Sequence, residues 1–233
     1  RRRVAQRIDH DNNLFDRLIS KVKDLARGYE SIKDYLEKGR AARMIEQQAR
    51  RATGLAKAPA VAAFVMSLID AGERPVVFAH HHDVHDAISE ALQNHDRHSN
   101  IDINPLRVTG RESKAQKEDA VRQFAEGKSR AIVLALRTAA GIDGLQRHGT
   151  CVVFAELDWS PAIHSECEDR LNRIGMNEDA ASTLCYYLVC STGTDTTMMS
   201  ALGLKVGQFM GIMGDEPESP ADQDEAIQQG ERR

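Results

Sequence analysis

The spacing of apolar residues changes along the chain. Within residues 1–53, large apolar side chains recur every three to four positions; the clearest set is Leu14, Leu18, Val22 and Leu25. This spacing predicts an amphipathic helix of about four turns. Gly28 interrupts the pattern, and a second helical stretch follows it. We therefore predict that residues 1–53 form a helical segment.

From residue 54 onward, short apolar runs alternate with helical patterns. Pro59 suits the first turn of a helix that would extend through Ala71. The apolar runs that predict strands are 75–79, 106–109, 131–135, 151–155 and 184–189. Continuous apolar strands that alternate with helices are typical of a parallel sheet buried on both faces. The sequence therefore predicts an α/β fold in which helices sandwich a parallel sheet.

Polar residues follow several of the predicted strands. Thr109-Gly110, Arg137-Thr138 and Trp159 each come shortly after an apolar run. Ligands of parallel α/β sheets bind beyond the carboxyl ends of the strands. We therefore expect these residues to share one functional edge of the sheet.

Two arginines in a helix predicted at about 161–174 indicate chemistry on phosphate. Arg170 and Arg173 are three residues apart, so they are neighbours on one helix face. A guanidinium stays charged and binds phosphate oxygens bidentately, so the pair could stabilise charge on a transferred γ-phosphoryl group. The alternative is a surface helix in which Glu166 pairs with Arg170, and Asp169 with Arg173.

A loop that would hold nucleotide phosphates is missing from the sequence. No Gly-x-x-x-x-Gly-Lys-Ser/Thr motif occurs in the chain, and this motif cradles the β- and γ-phosphates in many nucleotide-binding proteins. If the two arginines act on a nucleotide, we expect another domain to hold its phosphates.

The charge of the chain is unevenly distributed. Residues 1–57 carry 15 Lys and Arg against 8 Asp and Glu, whereas residues 212–233 carry seven acidic residues and two arginines. A basic front and an acidic tail fit a polyanionic partner. No apolar run approaches the roughly 18 residues of a membrane span, so we expect no membrane partner.

The histidine and cysteine patterns lead us to predict no metal site. His80, His81, His82 and His85 lie close together in sequence, but no cysteine or carboxylate arrangement nearby supports zinc binding. We interpret them as a polar loop at a strand end, with a metal site as the alternative. The four cysteines lack paired metal spacing, and we interpret them as buried thiols rather than disulfides.

Five segments, in order, resemble a known family. They are Phe78–His81, Thr109–Phe124, Thr138–Leu145, Val152–Pro161 and Glu168–Gly175. Together they make residues 54–200 resemble the second RecA-like lobe of SNF2-type superfamily 2 helicases and translocases, and most of all the annealing-helicase branch. Glu166, Met176, Ile142 and Asp143 depart from the family pattern, and we expect these departures to affect ATP hydrolysis rather than the fold.

The resemblance implies an ATP-dependent DNA helicase or translocase whose catalytic site is split between two lobes. Arg170 and Arg173 would act as arginine fingers on ATP and Mg²⁺, which the absent first lobe would mainly hold, and Gly144 would lie near the cleft between the lobes. The residues that would contact the DNA backbone without reading its sequence are His81, Gly110, Arg111, Thr138, Ala140 and Gly141. The fragment alone would be inactive.

The resemblance also implies a division of the chain. Residues 1–53 would be a helical linker or protrusion, 54–200 the RecA-like lobe, and 201–233 a C-terminal extension with an acidic, disordered tail. We expect a cytoplasmic, nucleoid-associated location in a bacterial or viral setting and a nuclear one in a eukaryote. The alternatives are a lobe of an RNA helicase and a non-catalytic DNA- or protein-binding scaffold on the same fold.

Overall fold

The computed structural model describes residues 2–98, 102–138, 142–172 and 183–203. Arg173, Ala140, Gly141 and the acidic tail lie outside these ranges, so the predictions made for them remain predictions. Within the described residues the strands are β1 (Arg2–Arg7), β2 (Pro75–Ala79), β3 (Leu106–Val108), β4 (Ile132–Ala135), β5 (Cys151–Phe154) and β6 (Leu184–Val189). The α-helices are α1 (Asn12–Tyr29), α2 (Tyr35–Asp70), α3 (His82–His98), α4 (Lys114–Ala125), α5 (Pro161–Glu168) and α6 (Asp195–Ala201).

The strands form one parallel sheet in the order β1-β6-β5-β2-β4-β3. Successive side chains of a strand point to opposite faces, and β2 shows both faces buried. Val77 packs with Ile88 in the apolar cluster under α2 and α3. Phe78 packs with Phe124 in the cluster on the other face, which includes residues of α4 and α5. The α/β, RecA-like sandwich predicted from the sequence is therefore confirmed.

The helical prediction for the first residues of the chain is wrong, because residues 2–7 form the edge strand β1. This strand runs parallel to β6, with Arg3 opposite Cys185, and Val4 and Ala5 are buried. A strand of this length has too few apolar residues to display a period. Its conformation is decided by the hydrogen bonds and buried surface that β6 supplies.

The helix expected to begin at Pro59 begins at Tyr35 and runs without interruption to Asp70. A proline inside a helix removes one backbone hydrogen bond and costs about 3 kcal/mol. Burial of Ala58, Val61 and Ala62 against the sheet offsets that cost. The boundary predicted between residues 53 and 54 falls inside α2, and the division into linker and lobe stays a prediction.

The two halves of α2 have different surroundings. Its buried side chains all lie between Arg50 and Ile69, and none lies in residues 35–49. The first half packs instead against α1, in which Val22 is the buried side chain. We call residues 12–49 the helical arm. One 18-residue window of α2 is apolar and long enough to cross a membrane, but 67% of that window is buried inside the protein, as suits a core helix.

Candidate functional site

The segments that directly follow the strands make up the carboxyl edge of the sheet. They are 80–82 after β2, 109–111 after β3, 136–138 after β4 and 155–160 after β5. A polar cleft of about 530 Å³ opens at this edge, and the N-terminal half of α2 forms one of its walls. Its lining residues are Glu46, Gln47, Arg50, His80, Arg137, Asp158, Trp159 and Ser160.

Glu156 holds the loop that contains the predicted DNA contact His81. Its Oε2 accepts hydrogen bonds from the backbone N–H groups of His80 and His81 at 2.7 and 2.8 Å, and its Oε1 lies 2.7 Å from His81 Nδ1. Burial opposes ionisation, but the hydrogen bonds from His81 and His80 outweigh it and lower the pKa of Glu156. Sequence reasoning missed this residue, although a carboxylate directly after an apolar strand was a visible signal.

Asp158, one of two acidic side chains that line the cleft, is balanced by its neighbours. Asp158 lies 3.4 Å from Arg137 Nη2 and 3.8 Å from Arg50 Nη2, and it accepts the Ser160 N–H at 3.0 Å. Burial would raise the pKa of Asp158, but the Ser160 N–H and the two arginines lower it. Arg137 itself remains two-thirds exposed, so it is available to an anion in the cleft.

The single tryptophan lies at the mouth of the polar cleft. Trp159 is 39% exposed, and its Nε1 donates to Glu46 Oε1 at 2.6 Å. Its ring therefore lies partly in solvent and is fixed at one end by α2. This hydrogen bond ties the carboxyl edge to α2.

Gly110 and Arg111 lie where the sequence predicted, directly after β3. Arg111 Nη1 donates to Asp86 at 2.9 Å, and Arg107 Nη1 donates to the same carboxylate at 2.5 Å. A side chain at Gly110 would approach the ring of His82 at 3.7 Å. The loop after β3 is thus brought beside the loop after β2, which contains His81.

Thr138 and Gly144 line a second depression, a groove of about 580 Å³ between α4 and the segment after β4. Thr138 Oγ1 donates to the Ala135 carbonyl at 2.9 Å. Gly144 has a φ of +102°, a conformation that favours glycine. Ala140 and Gly141, which belong to the same predicted DNA contact, lie outside the described residues.

Arg170 is held at the junction of two segments of the predicted site. Its Nη2 donates to Glu166 Oε1 at 3.0 Å, and its Nη1 donates to the Ile142 carbonyl at 3.3 Å. Its buried Nε has no hydrogen-bond partner in the described part of the chain, and its side chain is 11% exposed. The predicted pairing of Glu166 with Arg170 is confirmed, and Arg170 lies close to the segment that contains Gly144.

The helix before Arg170 is shorter than predicted. Helix α5 ends at Glu168, and Arg170 follows in a tighter turn in which its N–H donates to the Cys167 carbonyl at 3.2 Å. Helices commonly tighten in this way at their C-termini, because the last carbonyls lack ordinary intrahelical partners. Since Arg173 is not described, its position beside Arg170 stays a prediction.

A buried network missed by sequence reasoning fixes the end of α5. The side chain of Glu168 is fully buried and accepts two hydrogen bonds from Arg3, at 2.7 and 2.8 Å, and one from the Tyr187 hydroxyl at 2.7 Å. The Glu168 hydrogen bond is the main cause that raises the pKa of Arg3. Strand β1 is therefore linked to the turn that carries Arg170.

Histidines and cysteines in the described residues do not cluster as metal ligands. No group of three His, Cys, Asp or Glu side chains there could hold a metal ion. His81 is engaged by Glu156, and His85 is fully buried. The four cysteines, all within the described ranges, are buried thiols that form no disulfide, as predicted.

Comparisons with known proteins identify relatives of the chain. It is 28% identical over 165 residues to the SWI/SNF-related matrix-associated actin-dependent regulator of chromatin subfamily A-like protein 1 of Drosophila melanogaster, a match that covers 71% of this chain and 21% of that protein. It is 32% identical over 155 residues to the DNA annealing helicase and endonuclease ZRANB3 of Homo sapiens, covering 66% and 13%. The matches thus span about a fifth or less of these relatives. No protein-family model matches the chain.

Solved structures share the fold. The C-terminal part of the Fun30 ATPase domain superposes with a TM-score of 0.62 at 14% identity, covering 99% of this chain and 98% of that one. The Sulfolobus solfataricus SWI2/SNF2 ATPase core in complex with dsDNA superposes with a TM-score of 0.65 at 16% identity, covering 91% and 46%. By sequence relationship and by fold, the chain therefore belongs with the SNF2-type helicases and translocases, with relatives in the annealing-helicase branch and the architecture of a C-terminal RecA-like lobe.

Proposed function

We propose that this chain is the C-terminal motor lobe of an ATP-dependent DNA helicase or translocase. The observation that carries the proposal is the environment of Arg170. Its buried Nε has no hydrogen-bond partner among the described residues, while its Nη1 contacts the segment next to Gly144. A buried donor without a partner costs about 1–3 kcal/mol. A phosphate oxygen that reached this guanidinium would satisfy the donor, which supports a role as an arginine finger.

Arg170 and Arg173 would stabilise the charge that develops on a phosphoryl group bound opposite them, and Gly144 would line the same cleft. When bound between the lobes, ATP and Mg²⁺ would supply the phosphoryl group, whose transfer would follow closure of the two lobes. The sequence has no phosphate loop, so we expect a first lobe to hold most of the nucleotide and its metal.

Glu166 pairs with Arg170 when no nucleotide is bound. The ion pair at 3.0 Å keeps the guanidinium occupied when no phosphate is present. Binding of a phosphate would have to compete with Glu166, whose side chain is about half exposed and can rotate into solvent. The pair would therefore make engagement of Arg170 depend on closure of the lobes.

DNA would lie along the carboxyl edge. His81, Gly110, Arg111 and Thr138 follow three neighbouring strands there, and Ala140 and Gly141 complete the predicted set. Hydroxyl, guanidinium and main-chain N–H groups donate to phosphate without base preference. Binding should therefore be independent of sequence and sensitive to salt. The names of the relatives, which include a DNA annealing helicase and an ATPase core solved with dsDNA, support this partner.

The experiment is a measurement of DNA-stimulated ATP hydrolysis by the full-length protein. Arg170→Ala and Arg173→Ala should each lower kcat by about 10³-fold or more, the scale of an arginine finger, and leave DNA affinity unchanged. The isolated chain should hydrolyse no ATP. Arg130→Ala, a change outside the site, is the matched control and should behave as wild type. Turnover that survives Arg173→Ala would overturn the arginine-finger assignment.

A non-catalytic scaffold is the second candidate, because Arg170 is nearly buried and already paired with Glu166. In that case the full-length protein would bind DNA or protein without turning over ATP, and neither arginine would matter for binding.

If the host is a eukaryote, the chromatin-related names of the relatives favour a nuclear location.

A further inference from the structure

The helical arm extends past the carboxyl edge of the sheet. Helix α2 crosses this edge between Arg50 and Lys57. Arg50 Nη2 donates to the Leu157 carbonyl at 2.7 Å, and Lys57 Nζ donates to the Leu188 carbonyl at 2.8 Å. Between them, a Cβ at Gly54 would lie 2.7 Å from Glu156 Oε1. The helix continues N-terminally from this crossing with no break back to Tyr35.

Helical periodicity shows which face of the arm overlooks the carboxyl edge. Moving back from Gly54 in steps of about 3.6 residues leads to Gln47, Arg43, Arg40 and Leu36 on the same face. Gln47 does line the polar cleft, which agrees with this assignment. Helix α1 lies on the opposite side of α2, where Lys38 Nζ is 4.9 Å from the centre of the Tyr29 ring.

Arg40 and Arg43 are exposed, and neither has a carboxylate within 4.0 Å among the described residues. Like charges three apart on a helix repel each other by a few tenths of a kcal/mol. Glu46, the acid nearest to Arg43 along the helix, is drawn instead to Trp159 Nε1 at 2.6 Å and Arg50 Nε at 3.6 Å. Arg40 and Arg43 therefore place two positive charges on the face of the arm that overlooks the carboxyl edge of the sheet.

The acidic groups on the floor of that space do not cancel these charges. Glu156 is enclosed by the backbone of residues 80 and 81, and Asp158 is shared between Arg50 and Arg137. Arg137 remains two-thirds exposed beside them. Exposed arginines thus lie on both the arm and the edge, with Arg40 and Arg43 on the arm beyond the polar cleft and Arg137 in the lining of the cleft.

We propose that Arg40 and Arg43 form a second wall of the DNA-binding groove and contact the phosphate backbone of a duplex lying on the carboxyl edge. This inference rests on the proposed function and extends its DNA interface onto the arm. The two arginines are separated by about 4.5 Å along the helix axis, and a duplex has one phosphate charge per about 1.7 Å of its axis. Both side chains can therefore bind one stretch of backbone.

The test is a salt titration of duplex binding by the 233-residue chain, followed by the anisotropy of a labelled DNA of about two helical turns. Arg40→Ala/Arg43→Ala should raise Kd by about tenfold at low salt and reduce the slope of log K against log salt by about two. The matched control is Lys21→Ala/Lys23→Ala, which removes the same charge from exposed positions of α1. Arg40→Lys/Arg43→Lys should keep most of the affinity, and the circular dichroism of all variants should match wild type.

The outcomes separate this inference from the proposed function. Wild-type chain that binds no duplex would remove support for the DNA partner itself. If the wild-type chain binds the duplex and the Arg40→Ala/Arg43→Ala variant has the same Kd and the same salt slope, only the role of the arm is overturned. The exposed Leu36 and Met44 would then favour a protein partner for the arm. Equal losses in the arm variant and the α1 control would attribute the effect to bulk charge and overturn the inference as well.

Discussion

Glu156 and His81 are joined by a partly buried contact of 2.7 Å between Oε1 and Nδ1, and the same carboxylate accepts two backbone N–H groups of the loop after β2. Strands β5 and β2 are neighbours in the sheet. Glu156, which follows β5, therefore fixes the conformation of the loop that follows β2. The predicted DNA contact His81 is thus positioned by a carboxylate and not by its own loop sequence.

Replacement of Glu156 by Gln should destabilise the chain by about 1–3 kcal/mol, because at least one of its buried donors loses its acceptor. Chemical denaturation with urea at pH 7 measures this change. The pKa of Glu156 is lowered in the folded state, so its contribution is present above the unfolded pKa and is lost as pH falls through the lower folded value. Glu118→Gln, at an exposed position, is the control and should change stability by less than about 0.5 kcal/mol. Equal stability of both variants would contradict the prediction.

Substitution of Gly54 by Ala should destabilise the chain by about 1–3 kcal/mol through overpacking. The added Cβ would lie 2.7 Å from Glu156 Oε1 and 2.9 Å from Val84 Cγ2. Gly28 is a matched control in α1, because a Cβ there meets no atom within 4 Å. Gly28→Ala should stabilise the chain by about 0.5–1 kcal/mol. Thermal or urea unfolding of both variants checks the opposite signs, and a stabilising Gly54→Ala would contradict the close approach of α2 to Glu156.

His85 should make the chain less stable as the pH falls from 7 to 5. Burial lowers its pKa to about 4, whereas an unfolded histidine titrates near 6.5. The unfolded state therefore binds more protons than the folded state between these values, and stability falls with pH in this window. His85 should account for about 2 kcal/mol of the loss at pH 5.

His85→Leu tests this pH dependence. Neither ring nitrogen of His85 has a hydrogen-bond partner within the described residues, so an apolar side chain should be tolerated at pH 7. The variant should lose less stability than wild type between pH 7 and pH 5, as measured by urea unfolding at each pH. An unchanged pH slope would show that His85 does not remain neutral in the folded protein.

Arg3→Ala should destabilise the chain by about 2–4 kcal/mol, a value reduced from that of a fully buried pair because Arg3 is 38% exposed. The loss arises because Glu168 would stay buried with its charge uncompensated. Adding Glu168→Gln to the same chain should recover part of this stability, and the double-mutant cycle gives the coupling energy. Additive effects of the two changes would contradict a direct interaction.

The apolar patterns of the sequence determined the fold class and the order of most elements. The spacing of apolar residues alone predicts the strands at 75–79 and 151–154 and the helix at 12–29. A strand buried on both faces is apolar throughout, whereas a helix buried on one face is apolar at every third or fourth position. The strand ends then located His81, Gly110, Arg111 and Thr138 at one edge of the sheet, since parallel strands share the direction of their carboxyl ends. The Glu166–Arg170 pair was also predictable, because the two residues are only four apart in sequence.

Contacts between residues distant in sequence decided the rest. Strand β1 forms because β6 supplies its hydrogen bonds. Helix α2 continues through Pro59 because the residues around that proline are buried against the sheet. Glu156 reaches His81 across 75 residues of sequence, and Glu168 reaches Arg3 across 165. No local pattern encodes such pairs, because the free energy of each depends on burial that exists only after the sheet has assembled.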